Sequence, residues 1–380
     1  MAGAALTPML RRPLVPLWIA RPSRFAGLNV RDAWLVVIAL VGLLLATLLV
    51  FATPVPAAAT DGARTTDGQT DIALYDGIVE AVRHGASYYP AAIDAMRAGD
   101  YPLRPFVTVR LPTLAVVEAA LSGPLVLVLL DLLAATVVVA WWVRLRGVFT
   151  RLPPRIVAMM LLAAGLIPFV QPSLSAFHEI WAGLLLALSL ALYRSRDPLP
   201  AIAIGLAAAV IRETAGLYLI VMLAMALIEG RGREAIGWAI ACALLTAVLT
   251  LHAHAVAAFI RPLDPVSPGW SGQLGFGFFV RTMTLSTGLA LLPMWLAAPL
   301  VGLSLFGWAA WHTGLGLRIV VLLSGYALVL SVFGRLDTFY WGLLIAPVLL
   351  VGLIFVPDAL RDLSSAVFDR RRITVKRIVR

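Results

Sequence analysis

The chain is nearly without cysteine and poor in charge. Cys242 is its single cysteine and lies inside an apolar run, which excludes an intrachain disulfide and a thiolate metal site. Charged residues are 13% of the 380, against roughly 25% in a soluble domain. Lysine is all but missing, Lys376 being the one instance. The basic residues are therefore arginines, and the net charge of +10 is a matter of membrane orientation rather than of nucleic-acid binding. No glycine-rich nucleotide cradle is present, and no internal repeat is evident. What remains is apolar, 61% of all residues. An all-α polytopic membrane protein is the fold class that fits.

Basic residues order the apolar runs. Residues 1–32 carry Arg11, Arg12, Arg21, Arg24 and Arg31 ahead of a run from Ala33 to Ala52. At about 20 residues that run exceeds the roughly 7–15 of a signal-peptide core. It reads as an uncleaved first span, although Ala57 to Thr60 resembles a cleavage site. Residues 33–356 form the membrane domain, with outer loops at 53–112 and 258–287. Residues 357–380 are a basic tail with Arg370, Arg371 and Arg372. The apolar stretch 199–229 is interrupted by Arg212, Glu213 and Thr214. Crossing once, it would leave Arg231 and Arg233 outside; as two short spans turning at Arg212 it keeps them inside. About ten transmembrane helices result, with both termini cytoplasmic. Twenty-one of the thirty basic residues then fall inside.

The polar island from Asp71 to Arg110 stands out in this background. Ile72, Tyr75, Ile78, Val79 and Val82 recur on one helical face, which predicts an amphipathic juxtamembrane helix with Thr70 or Asp71 as its N-cap. Tyr88-Tyr89-Pro90 is expected to break it. A second short helix, Ala91 to Ala98, is expected to stop at Gly99.

The remaining odd polar groups fall at turns on the same side as this loop. They are His178 and Glu179, Arg212 and Glu213, His252 and His254, and Arg335 and Asp337 followed by Tyr340. Ionisable groups at membrane depth usually face a cavity or a partner. One hydrated outer pocket would gather them. Plainer readings exist for each: helix-to-helix hydrogen bonds for His178 and Glu179, a neutralised turn at Arg212, an interfacial ion pair at Arg335. His252 and His254 sit two apart and share no helix face, so they are no metal pair. Asp131, alone in an apolar span, reads as an interhelical partner.

A span, a long outer loop whose helix holds Asp71-x-x-x-Tyr75, then Gly85 ahead of Tyr88-Tyr89-Pro90, together with the paired short spans around Arg212, resembles the GT-C superfamily of polytopic glycosyltransferases. The resemblance covers about residues 33–356, specific in layout and weak in motif. It implies an inverting glycosyltransferase in a bacterial inner membrane. Such an enzyme takes a sugar from a polyprenyl-phosphate donor at the periplasmic face to a lipid, glycan or protein acceptor. It implies Asp71 as catalytic base, with Asp61, Asp67 and Asp76 as rivals because Asp71 lies unusually far from the first span. Carrier phosphate would meet Arg110, Arg212 and Arg335, and Tyr75, His178, Glu179, Glu213, Asp337 and Tyr340 would complete the substrate site. No cofactor is implied, and a divalent metal is not indicated. The alternatives are a transporter or flippase, which would show related halves and midplane polar groups, and a polysaccharide polymerase or ligase, which would carry its key residues in a late outer loop.

Overall fold

A computed structural model describes residues 17–55 and 67–368, the side chains of 67–70 excepted. The basic residues Arg11, Arg12, Arg64 and those from Arg370 onward, and the rival base Asp61, lie outside these residues, as does the side chain of Asp67. Helices make up the described residues, which contain no strand. α1 (Val30–Thr47) is capped by Asn29, whose side chain accepts from the Asp32 amide. Its Leu35, Ile38, Val41 and Leu45 are exposed, an apolar exterior of the kind that suits lipid.

The loop after α1 is itself folded. α2 (Asp67–Arg83) begins four residues before Asp71, so Asp71 is one turn inside the helix and is not its cap. The predicted apolar face holds, with Ile78 and Val79 buried. The helix ends at Gly85, whose φ of +93° an L side chain rarely adopts. The Ala86 amide bonds Ala81 O and the Gly85 amide bonds Val82 O, the pairing that closes a helix C-terminus. Tyr88-Tyr89-Pro90 does not break a helix; it opens α3 (Tyr88–Ala98). The expected stop at Gly99 is present. α4 (Thr113–Ala119) follows and packs on α2.

α5 (Gly123–Arg144) and α6 (Leu152–Gly165) lead to α7 (His178–Leu192), which is buried on nearly every face and is the central helix. Asp131 is exposed on α5 and makes no bond within the described residues, so the expected interhelical partner is not found among them. α8 (Leu199–Ile211) and α9 (Gly216–Ile228) are separated at Arg212, whose backbone is extended. A Cβ on Gly205 would lie 2.7 Å from the Tyr218 ring. A continuous helix would separate these residues by about 20 Å. Their nearly equal separations from Arg212 mark a hairpin, as the charge pattern predicts.

α10 (Gly232–Ala257) returns to the outer layer. The second loop is irregular only to Leu274, because Phe278, Phe279 and Val280 fold inward as α11 (Gly275–Leu285). α12 (Met294–Ala310) and α13 (Gly314–Phe333) follow. The expected last span is a broken one: a 3₁₀ stretch Leu336–Leu344, α14 (Ala346–Leu349), a 3₁₀ stretch Leu350–Phe355 and α15 (Val356–Val367). The two parts of this segment bend by 59°. α15 runs beyond Val356 into the stretch read as tail. Pro347 stands in the first turn of α14, where its missing N–H is tolerated, and Gly352 in the second 3₁₀ stretch fits tightly against α12.

Among the described residues, four helices are long and apolar enough to cross a membrane: Val30–Ala52, Gly123–Gly147, Gly232–Ala257 and Gly314–Phe333. The bent pair adds a fifth, and five more apolar helices are shorter. The bundle has two polar ends. At one, Arg318 is fully buried, holds Glu229 at 2.6 Å and Glu234 at 3.1 Å, and lies over the Tyr193 ring. His178, Thr214 and Phe333 are each fifteen residues from Tyr193, Glu229 and Arg318, about 22 Å of helix away. They mark the other end.

Candidate functional site

That second end encloses a cavity of about 560 Å³, a size common for small-molecule sites. Asp71, Tyr75 and Arg110 line it from the first loop, His178 from the start of α7, and Arg212 and Glu213 from the hairpin turn. Arg335, Asp337 and Tyr340 line it from the turn after α13. Nine of the ten residues singled out from the sequence thus share one wall. Glu179 does not; it is buried behind the wall, where it accepts from Arg212 Nε at 2.5 Å.

The charges of this wall are mutually held. Arg212 also pairs with Glu213, and Glu213 lies 3.9 Å from Arg110. Arg110 Nε donates to the Tyr75 hydroxyl at 3.1 Å. Burial pushes the Tyr75 phenol up from its ordinary pKa, so it keeps its proton and has an O–H to give. Asp71 stands one turn before Tyr75 on the same face and is half-buried. Arg335 holds Asp337 at 2.8 Å.

Neutral groups are the unsatisfied ones. Both ring nitrogens of His178, the indole nitrogen of Trp341 and the Thr214 hydroxyl are buried with no hydrogen-bond partner, and all three residues border the cavity. Buried polar atoms without protein partners are uncommon, and these are available to bond a bound molecule. His178 also meets the Tyr75 ring edge-on at 5.2 Å.

The roof joins the loop after α1 to the loop after α10. The Leu103 amide donates to Pro265 O and the Ser267 amide to Arg104 O. Arg97 grips Asp264 through two bonds of 2.8 and 3.0 Å. Ser267, Pro268 and Trp270 thereby reach the cavity. His252 is not in it: its ring bonds the Tyr89 hydroxyl and Val109 O, while His254 is exposed. Asp76 is exposed on α2 and does not line the cavity.

Sequence reasoning missed Glu118, which lines the cavity from α4. Its signal is a lone acid among Leu114, Ala115, Val116, Val117, Ala119 and Ala120. The set of groups is suited to holding an anion beside guanidiniums, and a hydroxyl beside a carboxylate. Among the described residues, no three His, Cys, Asp or Glu gather to hold a metal. Comparison of the chain with family models, with curated proteins and with solved structures gives no match.

Proposed function

We propose that the chain is an inverting glycosyltransferase that moves a sugar from a polyprenyl-phosphate donor to a lipid, glycan or protein acceptor. The observation that carries this reading is the convergence of Asp71, Arg110, Arg212 and Arg335 on one cavity at one end of an apolar helical bundle. A lipid-linked donor suits a cavity that adjoins helices apolar enough to cross a membrane. In this reading the short apolar helices also cross, giving about ten spans in a GT-C-like arrangement. Both termini are cytoplasmic and the cavity faces outward from the inner membrane.

The step is a displacement at the anomeric carbon. The acceptor oxygen forms the new C–O bond as its proton passes to the Asp71 carboxylate. The bond to the carrier phosphate breaks, and polyprenyl phosphate leaves with the electron pair. Arg110 and Arg335 are placed to take up the charge that develops on it. Arg212 holds Glu179 and Glu213, and so keeps the hairpin turn in position.

Asp71→Asn preserves shape and removes the base. The variant is expected to bind a polyprenyl-phosphate sugar as the wild type does and to lose transfer by about two orders of magnitude or more. Transfer at the wild-type rate in Asp71→Asn would remove Asp71 from the reaction.

A further inference from the structure

The cavity continues along α2 beyond the charged wall. Asp71 and Tyr75 stand at one end; Leu74 and Ile78 lead away from them, and Ile78 is about 10 Å of helix from Asp71. Ile78 and Val79, Ala92 and Met96 on α3, and Ala115 on α4 line this arm. Glu118, one turn after Ala115 on the same face of α4, lines it too.

Glu118 is 6% exposed, and its carboxyl makes no hydrogen bond or ion pair among the described residues. The nearby cation is otherwise engaged: Arg83 holds Glu80 at 2.5 Å and donates to the backbone carbonyls of Glu118 and Leu121. A buried carboxyl without a partner is costly unless neutral and supplied with one. Polar groups elsewhere in the arm are spent. The Tyr88 hydroxyl donates to Arg110 O, and the Thr108 hydroxyl to Pro105 O. A body with many hydroxyls would leave most of them unpaired here.

We propose that this arm binds an amphiphilic alcohol, its apolar body among Ile78, Val79, Met96 and Ala115 and its hydroxyl accepting a hydrogen bond from the Glu118 carboxyl. In naming this ligand as the acceptor, the inference rests on the glycosyltransferase reading; the binding site itself does not. Desolvation, with Asp76 adding to it and Arg83 opposing, raises the Glu118 pKa to about 8. The acid is therefore a donor at neutral pH and loses that ability as pH rises through about 8. Asp76 and Arg83, both on α2, are the charged groups that act on it.

The test uses the full chain in lipid nanodiscs and a long-chain primary alcohol carrying a diazirine. After irradiation, label is expected in peptides covering 74–79, 92–96 and 115–118. In the wild type it should fall about tenfold between pH 7 and a pH one to two units above 8. Glu118→Gln keeps a neutral donor, and its labelling should stay high and flat with pH. Glu118→Ala should lose most of it. Equal labelling of Glu118→Ala and wild type, a pH-independent wild type, or label confined to other segments would each overturn the site. Labelling as expected, with no sugar transfer from any polyprenyl-phosphate donor, would leave the alcohol site standing and sink the glycosyltransferase reading instead.

Discussion

Arg212 Nε lies 2.5 Å from Glu179 Oε1, and neither side chain is more than 2% exposed. The pair ties the hairpin turn to the first turn of α7. Removing Arg212 leaves Glu179 as an unpaired buried charge, which costs about 3–5 kcal/mol; removing Glu179 leaves Arg212 with Glu213 as its remaining partner. Arg212→Ala should lower the thermal midpoint sharply, and Glu179→Ala by less. The apolar double replacement Glu179→Leu with Arg212→Met should recover much of that loss. Unfolding of the detergent-solubilised variants, followed by far-ultraviolet circular dichroism, checks this. A double variant as unstable as the two single losses added together would contradict it.

The roof pair responds to acid. The hydrogen bond from Arg97, followed by that from the Arg261 amide, pulls the Asp264 pKa down to about 2. A carboxylate with a depressed folded-state value adds stability above its unfolded value, here near 3.8, and loses it as pH falls toward 2. The junction of these two loops is therefore expected to be insensitive to pH from neutral down to about 4. Asp264→Asn should open it at neutral pH. Hydrogen exchange at Leu103 and Ser267, whose amides cross between the loops, should rise in the variant. Unchanged exchange at both amides would show that the backbone bonds hold the roof without the ion pair.

Much of this was legible because polar residues in an apolar chain are few and must be accommodated. The turn at Arg212 followed from the charge rule alone, and Gly205 against Tyr218 is its structural counterpart. Glu179 was assigned to the right neighbourhood but to the wrong layer, since sequence spacing does not tell a cavity wall from the residue bracing it. The broken backbone after Arg335 was not legible. From Phe339 to Val356 the run is uniformly apolar, and nothing in its pattern separates 3₁₀ from α backbone; only its second 3₁₀ stretch packs closely on α12. Glu118 escaped because nothing local marks a lone acid as facing a cavity; α2 and α3, which close that arm over it, lie some twenty or more residues away in sequence.

The approach of Gly307 to Gly352 is among the closest contacts of the bundle. A Cβ on Gly307 would sit 1.9 Å from Gly352 O, and one on Gly352 would sit 2.1 Å from Ser304 O. Small residues let helices meet at backbone distance. Gly307→Ala and Gly352→Ala must push α12 from the broken segment, at a cost of about 3 kcal/mol or more. Gly42→Ala, on α1 where a Cβ meets nothing within 4 Å, should be neutral or slightly stabilising. The yield of monodisperse protein and its thermal midpoint separate these outcomes. Wild-type behaviour of Gly307→Ala would mean that the two segments are not in contact as described.

The hairpin fixes which ends of the bundle share a side, and labelling can read this directly. α8 and α9 are 13 residues each, about 20 Å long and shorter than the roughly 30 Å of a bilayer core. As a hairpin they return the chain to the side it came from, so Ser195 and Gly232, both exposed, face the same compartment. Ser87 and Leu263, exposed on the roof, face the other. With Cys242 replaced by Ala, single cysteines at Ser87 and Leu263 should react with an impermeant maleimide in intact cells. Cysteines at Ser195 and Gly232 should react only after permeabilisation. A single crossing through 199–229 would put Ser195 and Gly232 on opposite sides, and labelling of one without the other in intact cells would establish that topology in place of the hairpin.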